Sequence, residues 1–310
     1  MADKSGAFTE AQVISRLREI FATSDPRVEI GIGDDAAVLA GTNKRQVMTT
    51  DMAVEGVHFR TDWSSAFEIG RKVTAANAAD VLAMGAAPDF LLVAVALSGS
   101  EDIKWIEELA RGIKFEADLA GLRVIGGDLS RSEKIVISMS AIGHCDFPIS
   151  RGGAKVGDGI YLSSLTGWSA AGLEILNSDL NASSVAQDQA VSEYKNPTID
   201  YGFNSSGATS MCDVSDALII QAAQMADSSK VGFKFDLTKI QASEEFVLLQ
   251  SLADEMRTDV WKWIFSGGED HVLLATGKDL PGILIGEVIS GSGLQNVPAD
   301  AETSVWQHFK

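Results

Sequence analysis

Apolar and polar positions alternate in two rhythms along this chain, and the switches between them mark its elements. Over residues 10–22 the apolar positions recur at helical spacing, with Thr9 placed to cap the start. Residues 47–51 have strand character. A long helix is predicted from 66 to about 84, capped by Ser64 or Ser65 and stopped by Gly85 and Pro88. Residues 90–97 (FLLVAVAL) are apolar throughout and predict a buried strand. A second amphipathic helix is predicted over 102–120, ended by Gly121, followed by strands at 122–125 and 134–142.

Turn chemistry then interrupts the pattern at Arg151-Gly152-Gly153-Ala154 and Gly157-Asp158-Gly159. A boundary near Pro148 divides the chain into an N-terminal domain over 1–147 and a C-terminal domain over 148–310. The second half predicts a strand at 160–163, a helix from Ser169, a polar stretch through Asn204 and a helix over 215–226. Strands at 231–235, 271–275 and 283–287 follow, with a helix at 244–256 between the first two. Strands alternating with helices in both halves indicate an α/β or α+β fold. At 310 residues and 45% hydrophobic, the chain is long enough for two cores of about 150 residues each.

Charge narrows the function. A net charge of −18 argues against a nucleic-acid partner, since nothing here would neutralise a run of phosphates. Most of the 43 acidic residues, such as Glu107, Glu108, Glu244 and Glu245, belong to solvated helix faces. Cys145 and Cys212 lack disulfide or zinc spacing, which suits a reducing compartment. The first residues have no signal-peptide character, and the longest apolar run is far short of a membrane span. A soluble, cytoplasmic protein with no membrane partner is expected.

The aspartates carry the chemistry. They stand in Gly33-Asp34-Asp35, Thr49-Thr50-Asp51, Asn77-Ala78-Ala79-Asp80, Gly126-Gly127-Asp128, Asp213-Val214-Ser215-Asp216 and Ser266-Gly267-Gly268-Glu269-Asp270. Each has an ordinary reading. Gly33-Asp34-Asp35 makes a turn, Asp80 a buried cap, Gly126-Gly127-Asp128 a tight turn, and Ser215 or Asp216 a helix N-cap. Thr49-Thr50-Asp51 at a strand end would collect its side chains at one edge, and Gly267-Gly268 would form a backbone nest for an anion. His58 is as readily a structural hydrogen-bonder as a ligand contact. Gathered together, however, these carboxylates repel one another unless cations hold them. All-oxygen donors suit Mg²⁺, which binds a few carboxylates together with substrate phosphates. Bound cations would also admit an anionic nucleotide to an acidic cleft. The ordered set predicts a magnesium-dependent, phosphate-handling enzyme.

That ordered set resembles the thiamine-monophosphate kinase family, within the superfamily of aminoimidazole-ribonucleotide synthetase-like ATP-dependent enzymes. The likeness runs from Glu29 to Phe309 and is most specific at residues 49–59 (TTDMAVEGVHF), 126–128 (GGD) and 266–270 (SGGED). It implies transfer of the ATP γ-phosphate to thiamine monophosphate. It also implies two α/β domains with the active site in the cleft between them, and a homodimer formed through the N-terminal sheet. Carried over residue by residue, it places Asp35, Thr49, Thr50, Asp51, Asp80, Asp128 and Asp213 around the Mg²⁺ ions, with Asp34 adjoining and Asp216 on a further ion. Gly127, Asp128, Arg151 and Ser215 correspond to nucleotide contacts, and His58, Glu269 and Trp306 to contacts with the thiamine phosphate. Asp35, Asp51, Asp80 and Asp128 are the residues expected to matter most to catalysis. The chain departs from the family pattern at Ala217, where Gly is usual, at Thr198-Ile199-Asp200, where a basic residue is usual, and at His271, where Tyr is usual. These departures leave two alternatives: another ATP-dependent member of the superfamily, or a non-catalytic dimeric nucleotide-binding protein.

Overall fold

Thr9 caps the first helix through a reciprocal pair: its hydroxyl accepts from the Gln12 N–H, and the Gln12 side chain accepts from the Thr9 N–H at 2.8 Å. In the computed structural model, which describes residues 9–32, 36–178, 184–299 and 301, the chain forms two compact units. The first takes Met1–Val81 and Ala86–Asp146; the second takes Leu82–Gly85 and Phe147–Lys310.

Through the first unit run α1 (Glu10–Ile20), β1 (Val28–Ile30), β2 (Val38–Leu39), β3 (Arg45–Val54), α2 (Ala66–Ala83), β4 (Ala87–Leu97), α3 (Ile103–Ala120), β5 (Arg123–Arg131) and β6 (Val136–Cys145). Ser65 and Glu68 cap α2 reciprocally, and Asp102 accepts from the Trp105 N–H to cap α3. Among the described residues the main sheet has four strands in the order β3-β6-β4-β5, antiparallel except for the parallel β4/β5 pair that α3 connects. Leu91, Val93, Ile137 and Met139 from this sheet share a core with Ile69 of α2 and Ile113 of α3.

The sheet is covered on one face. Residues 90–97 were expected to be buried throughout, but β4 alternates: Leu91, Val93 and Val95 are buried while Leu92 is 36% exposed. The helices pack on one face, so every second side chain of β4 is left facing outward. Met48 and Met52 of β3 share the open face and are 63% and 58% exposed.

The second unit contains β7 (Gly159–Leu162), α4 (Trp168–Asn177), α5 (Val185–Lys195), β8 (Ala208–Val214), α6 (Leu218–Ser229), β9 (Gly232–Phe235), α7 (Leu237–Gln241), α8 (Glu244–Met256), α9 (Val260–Ser266), β10 (Val272–Gly277), β11 (Ile283–Ile289) and β12 (Gly293–Gln295). Its sheet, of six strands among the described residues, has the order β12-β9-β11-β7-β10-β8 and is antiparallel apart from β12/β9. Phe233, Phe235, Leu162 and Leu274 join Leu249 and Trp263 in its core. The polar stretch expected before Asn204 contains α5, which buries Gln187, Ala190 and Tyr194 along one narrow stripe. Three buried residues in eleven leave little apolar periodicity to read. The fold class, mixed α/β with helices layered on sheets, agrees with the sequence. Among the described residues no helix is long and apolar enough to cross a membrane.

Leu91 is fully buried beneath α2 and α3. Leu91→Ala should therefore lower the unfolding free energy by about 2–5 kcal/mol, measured by denaturant titration. A loss below about 1 kcal/mol would contradict this core assignment.

Candidate active site

The strand β3 runs through Thr49-Thr50-Asp51 and on to Val54, so these residues do not end a strand as expected. Strand alternation divides them. Thr49 and Asp51 share the helix-covered face, while Thr50 points to the open face with Met48 and Met52. Thr49 Oγ1 donates to Asp80 Oδ2 at 2.6 Å, tying the half-buried carboxylate on α2 to the face that carries Asp51. Thr50 Oγ1 donates to the Met139 carbonyl at 2.9 Å and accepts from Ser140 Oγ at 3.1 Å. Asn77, one turn before Asp80, is buried; its Nδ2 donates to the Val73 carbonyl, and its Oδ1 has no partner among the described residues.

Gly126-Gly127-Asp128 lies inside β5 rather than in a turn after it. A Cβ on Gly127 would stand 1.8 Å from the Val93 carbonyl oxygen, so only glycine allows β5 to lie this close to β4. Asp128 is exposed and registers with Ala94 of β4, which registers with Ser138 of β6, which registers with Met52 of β3. Asp128 thus belongs to the open face. Strands β3 and β5 are the two edges of this sheet, which separates Asp51 from Asp128 by about 14 Å at usual strand spacing. The sheet of one chain therefore does not bring these two carboxylates together. An open cavity of about 1020 Å³ adjoins Gly127 and Asp128, walled by Leu17 and Arg18 of α1, Ile32 and Leu92. His58 lies in the turn after β3, where its Nδ1 accepts from the Val54 N–H at 3.1 Å. The neutral ring then carries its proton on Nε2.

In the second unit, Asp213 is the penultimate residue of β8, and the segment Ser215-Asp216 crosses the loop at 267–271. The Glu269 N–H donates to the Ser215 carbonyl at 2.6 Å and the His271 N–H to the Val214 carbonyl at 2.8 Å. A Cβ on Gly268 would stand 2.4 Å from the Asp216 carbonyl oxygen, so the crossing requires glycine there too. Glu269 and His271 both hold left-handed backbones, with φ of 67° and 52°. The N-cap of α6 is Ala217, with no side-chain capping bond, so neither Ser215 nor Asp216 is used as the helix cap. Arg151 is exposed and donates to Gln224 Oε1. Asp34, Asp35 and Trp306 lie outside the described residues. Among the described residues no three His, Cys, Asp or Glu side chains form a cage for one ion.

The family model for the N-terminal domain of AIR synthase related proteins matches residues 33–145. The thiamine-monophosphate kinase of Mycobacterium tuberculosis is 34% identical over 97% of this chain and 94% of its own length. That of Corynebacterium glutamicum is 38% identical over 79% of this chain and 76% of its own. The chain belongs to the thiamine-monophosphate kinase family. A solved structure of this family, AaThiL complexed with AMPPCP and TMP, superposes with a TM-score of 0.79 at 27% identity, covering 98% of this chain and all of that one.

Ala217, where the resemblance implies glycine, has an extended backbone, φ −172° and ψ 148°, which any residue adopts, so alanine is accommodated there without strain. Asp270 has a structural task that its place in the acidic motif concealed. Its carboxylate accepts from the Gly167 N–H at 2.8 Å and the Ser169 N–H at 3.0 Å, capping the start of α4 from about a hundred residues away. No local signal links those positions.

Burial pushes the Asp270 carboxyl up to about 7, against the two N–H donors and His271, which favour its ionised form; the charge of Glu193 raises it further. Its folded pKa lies above its unfolded value of 3.8, so its stabilising contribution is complete below that value and is lost as pH rises through about 7. Unfolding free energy should decline from about pH 4 to pH 7 with a slope that Asp270→Asn removes, whatever the variant does to stability overall. Chemical denaturation across this range checks it; equal slopes in both proteins would contradict the assignment.

Proposed function

We propose that this chain transfers the γ-phosphate of ATP to thiamine monophosphate, giving thiamine diphosphate and ADP. One observation carries the reading: a relative matching 98% of the chain at a TM-score of 0.79 is complexed with AMPPCP, a non-transferring ATP analogue, and TMP. The cavity beside Gly127 and Asp128 has the volume of a nucleotide site, and Arg151 offers a cation to phosphate oxygens.

The donor set fits Mg²⁺. Asp51, Asp80, Asp128, Asp213 and Asp216 supply carboxylate oxygens, Thr49 and Thr50 hydroxyls, and Mg²⁺ needs only one or two carboxylates once phosphates and water complete its shell. Bound there, it supplies neutralisation of the phosphate charge and alignment of the phosphates. The protein does the rest by positioning. Thr49 fixes the Asp80 carboxylate, and Nε2–H of His58, with Glu269 and Trp306, holds the thiamine phosphate. The acceptor is an ionised phosphate monoester, so no strong general base is needed.

The same reading includes a homodimer and work in the cytoplasm, with residues 1–147 as the nucleotide-binding and dimerising domain and 148–310 as its partner domain. Met48, Met52 and Leu92 leave an apolar sheet face open, which a second copy would cover. Asp51→Asn and Asp128→Asn should each lower kcat by on the order of a hundredfold or more with the fold intact. Near-normal kcat in either variant would remove that residue from the machinery.

A further inference from the structure

Asp213 and His271 stand 58 residues apart in sequence, yet they meet where the two polar segments of the second unit cross. Strand β8 ends and β10 begins as an antiparallel pair, Val214 opposite Val272 and Asp213 opposite Leu273. His271 sits one residue before that pairing, its backbone in the left-handed region at φ 52° and its N–H bound to the Val214 carbonyl. This conformation is strained for a non-glycine residue, so it persists because its surroundings demand it. It turns the ring back toward β8. Nδ1 lies 3.2 Å from Asp213 Oδ2, and both side chains are buried, at 8% and 4% exposure. An ionised carboxylate only accepts hydrogen bonds, so the contact requires Nδ1 to carry a proton and donate it. Oδ1 has no hydrogen-bond partner among the described residues.

We propose that His271 is a positioning residue that holds the Asp213 carboxylate through Oδ2 and aims Oδ1 outward as a divalent-cation ligand. The inference rests on the kinase reading above, which makes Asp213 a Mg²⁺ ligand. Buried ligating carboxylates need such a second hydrogen bond to keep one orientation, and losing it costs tenfold or more in metal affinity. A tyrosine at this position would carry its hydroxyl at the far end of the ring. Histidine donates from the atom next to the ring's attachment point. The short reach ties this carboxylate directly to the crossing of the two loops.

Asparagine and glutamine separate the possibilities. Both are polar, and Asn adopts the left-handed region readily. In H271N the amide nitrogen can stand where Nδ1 stands; in H271Q it is carried further out. Mn²⁺ affinity is read from the free-ion electron paramagnetic resonance signal with AMPPCP bound, so that no turnover enters the measurement. H271Q should bind Mn²⁺ roughly tenfold or more weakly than wild type, and H271N should return to within about threefold. Equal affinity in all three proteins overturns the proposal, and so does an H271N variant as weak as H271Q. If H271Q fails to fold, H271G, which tolerates the left-handed backbone and removes the donor, takes its place: a tenfold loss supports the role, and affinity equal to wild type refutes it. D213N tests the ligand role of Asp213 itself. If it binds Mn²⁺ as wild type does, Asp213 is not a ligand and the underlying reading of this position fails. If D213N is weak while H271Q is not, only the positioning role fails.

Discussion

Backbone contact at distances that exclude a side chain determines where the acidic groups of this protein stand. In the first unit β5 lies against β4 at Gly127, where even a methyl group would overlap the Val93 carbonyl, and the next residue is Asp128. In the second unit Gly268 lies against the Asp216 carbonyl, and the next residue is Glu269. Each glycine removes a side chain at the point of contact and so fixes the residue that follows. Rigid delivery matters because phosphoryl transfer asks little of a protein except alignment and charge compensation.

The same economy explains the acidic surroundings. Carboxylates near a polyphosphate would oppose its binding, and bound cations would invert that sign. The hydrogen bonds supporting them are modest individually, yet they remove rotational freedom from the acids: Thr49 holds Asp80 and His271 holds Asp213. Asp270 is the contrast. It sits among the same acidic residues but spends both oxygens on the start of α4. A neighbouring acid in one motif thus serves the fold rather than the ligand.

Much of this was legible in the sequence where the cause is local. The cap at Thr9 and the helix at Glu244–Met256 follow from short-range signals and stand where expected, and the helix expected over 102–120 begins at Ile103 with Asp102 as its cap. The GGD motif did not read as strand interior, because glycine usually marks a turn and the reason for it here lies on the neighbouring strand. Likewise, the segment Thr49-Thr50-Asp51 looked like a strand end; its continuation to Val54 sends alternate residues to opposite faces. The separation of Asp51 from Asp128 depends on strand order, which no local pattern encodes. The pairing of His271 with Asp213 and the capping of α4 by Asp270 are likewise long-range. Motif resemblance found the family because it reads the ordered set at once, whereas physical reading of each segment left its role open.

The central claim is direct transfer of phosphate from ATP to thiamine monophosphate. Phosphorus NMR of the protein with ATP, Mg²⁺ and thiamine monophosphate follows every phosphate at once. The account predicts loss of the monoester resonance with matching growth of the thiamine diphosphate pair and of ADP, no inorganic phosphate, and no reaction when the metal is chelated. ATP that stays intact, or that yields inorganic phosphate while thiamine monophosphate is unchanged, would contradict it.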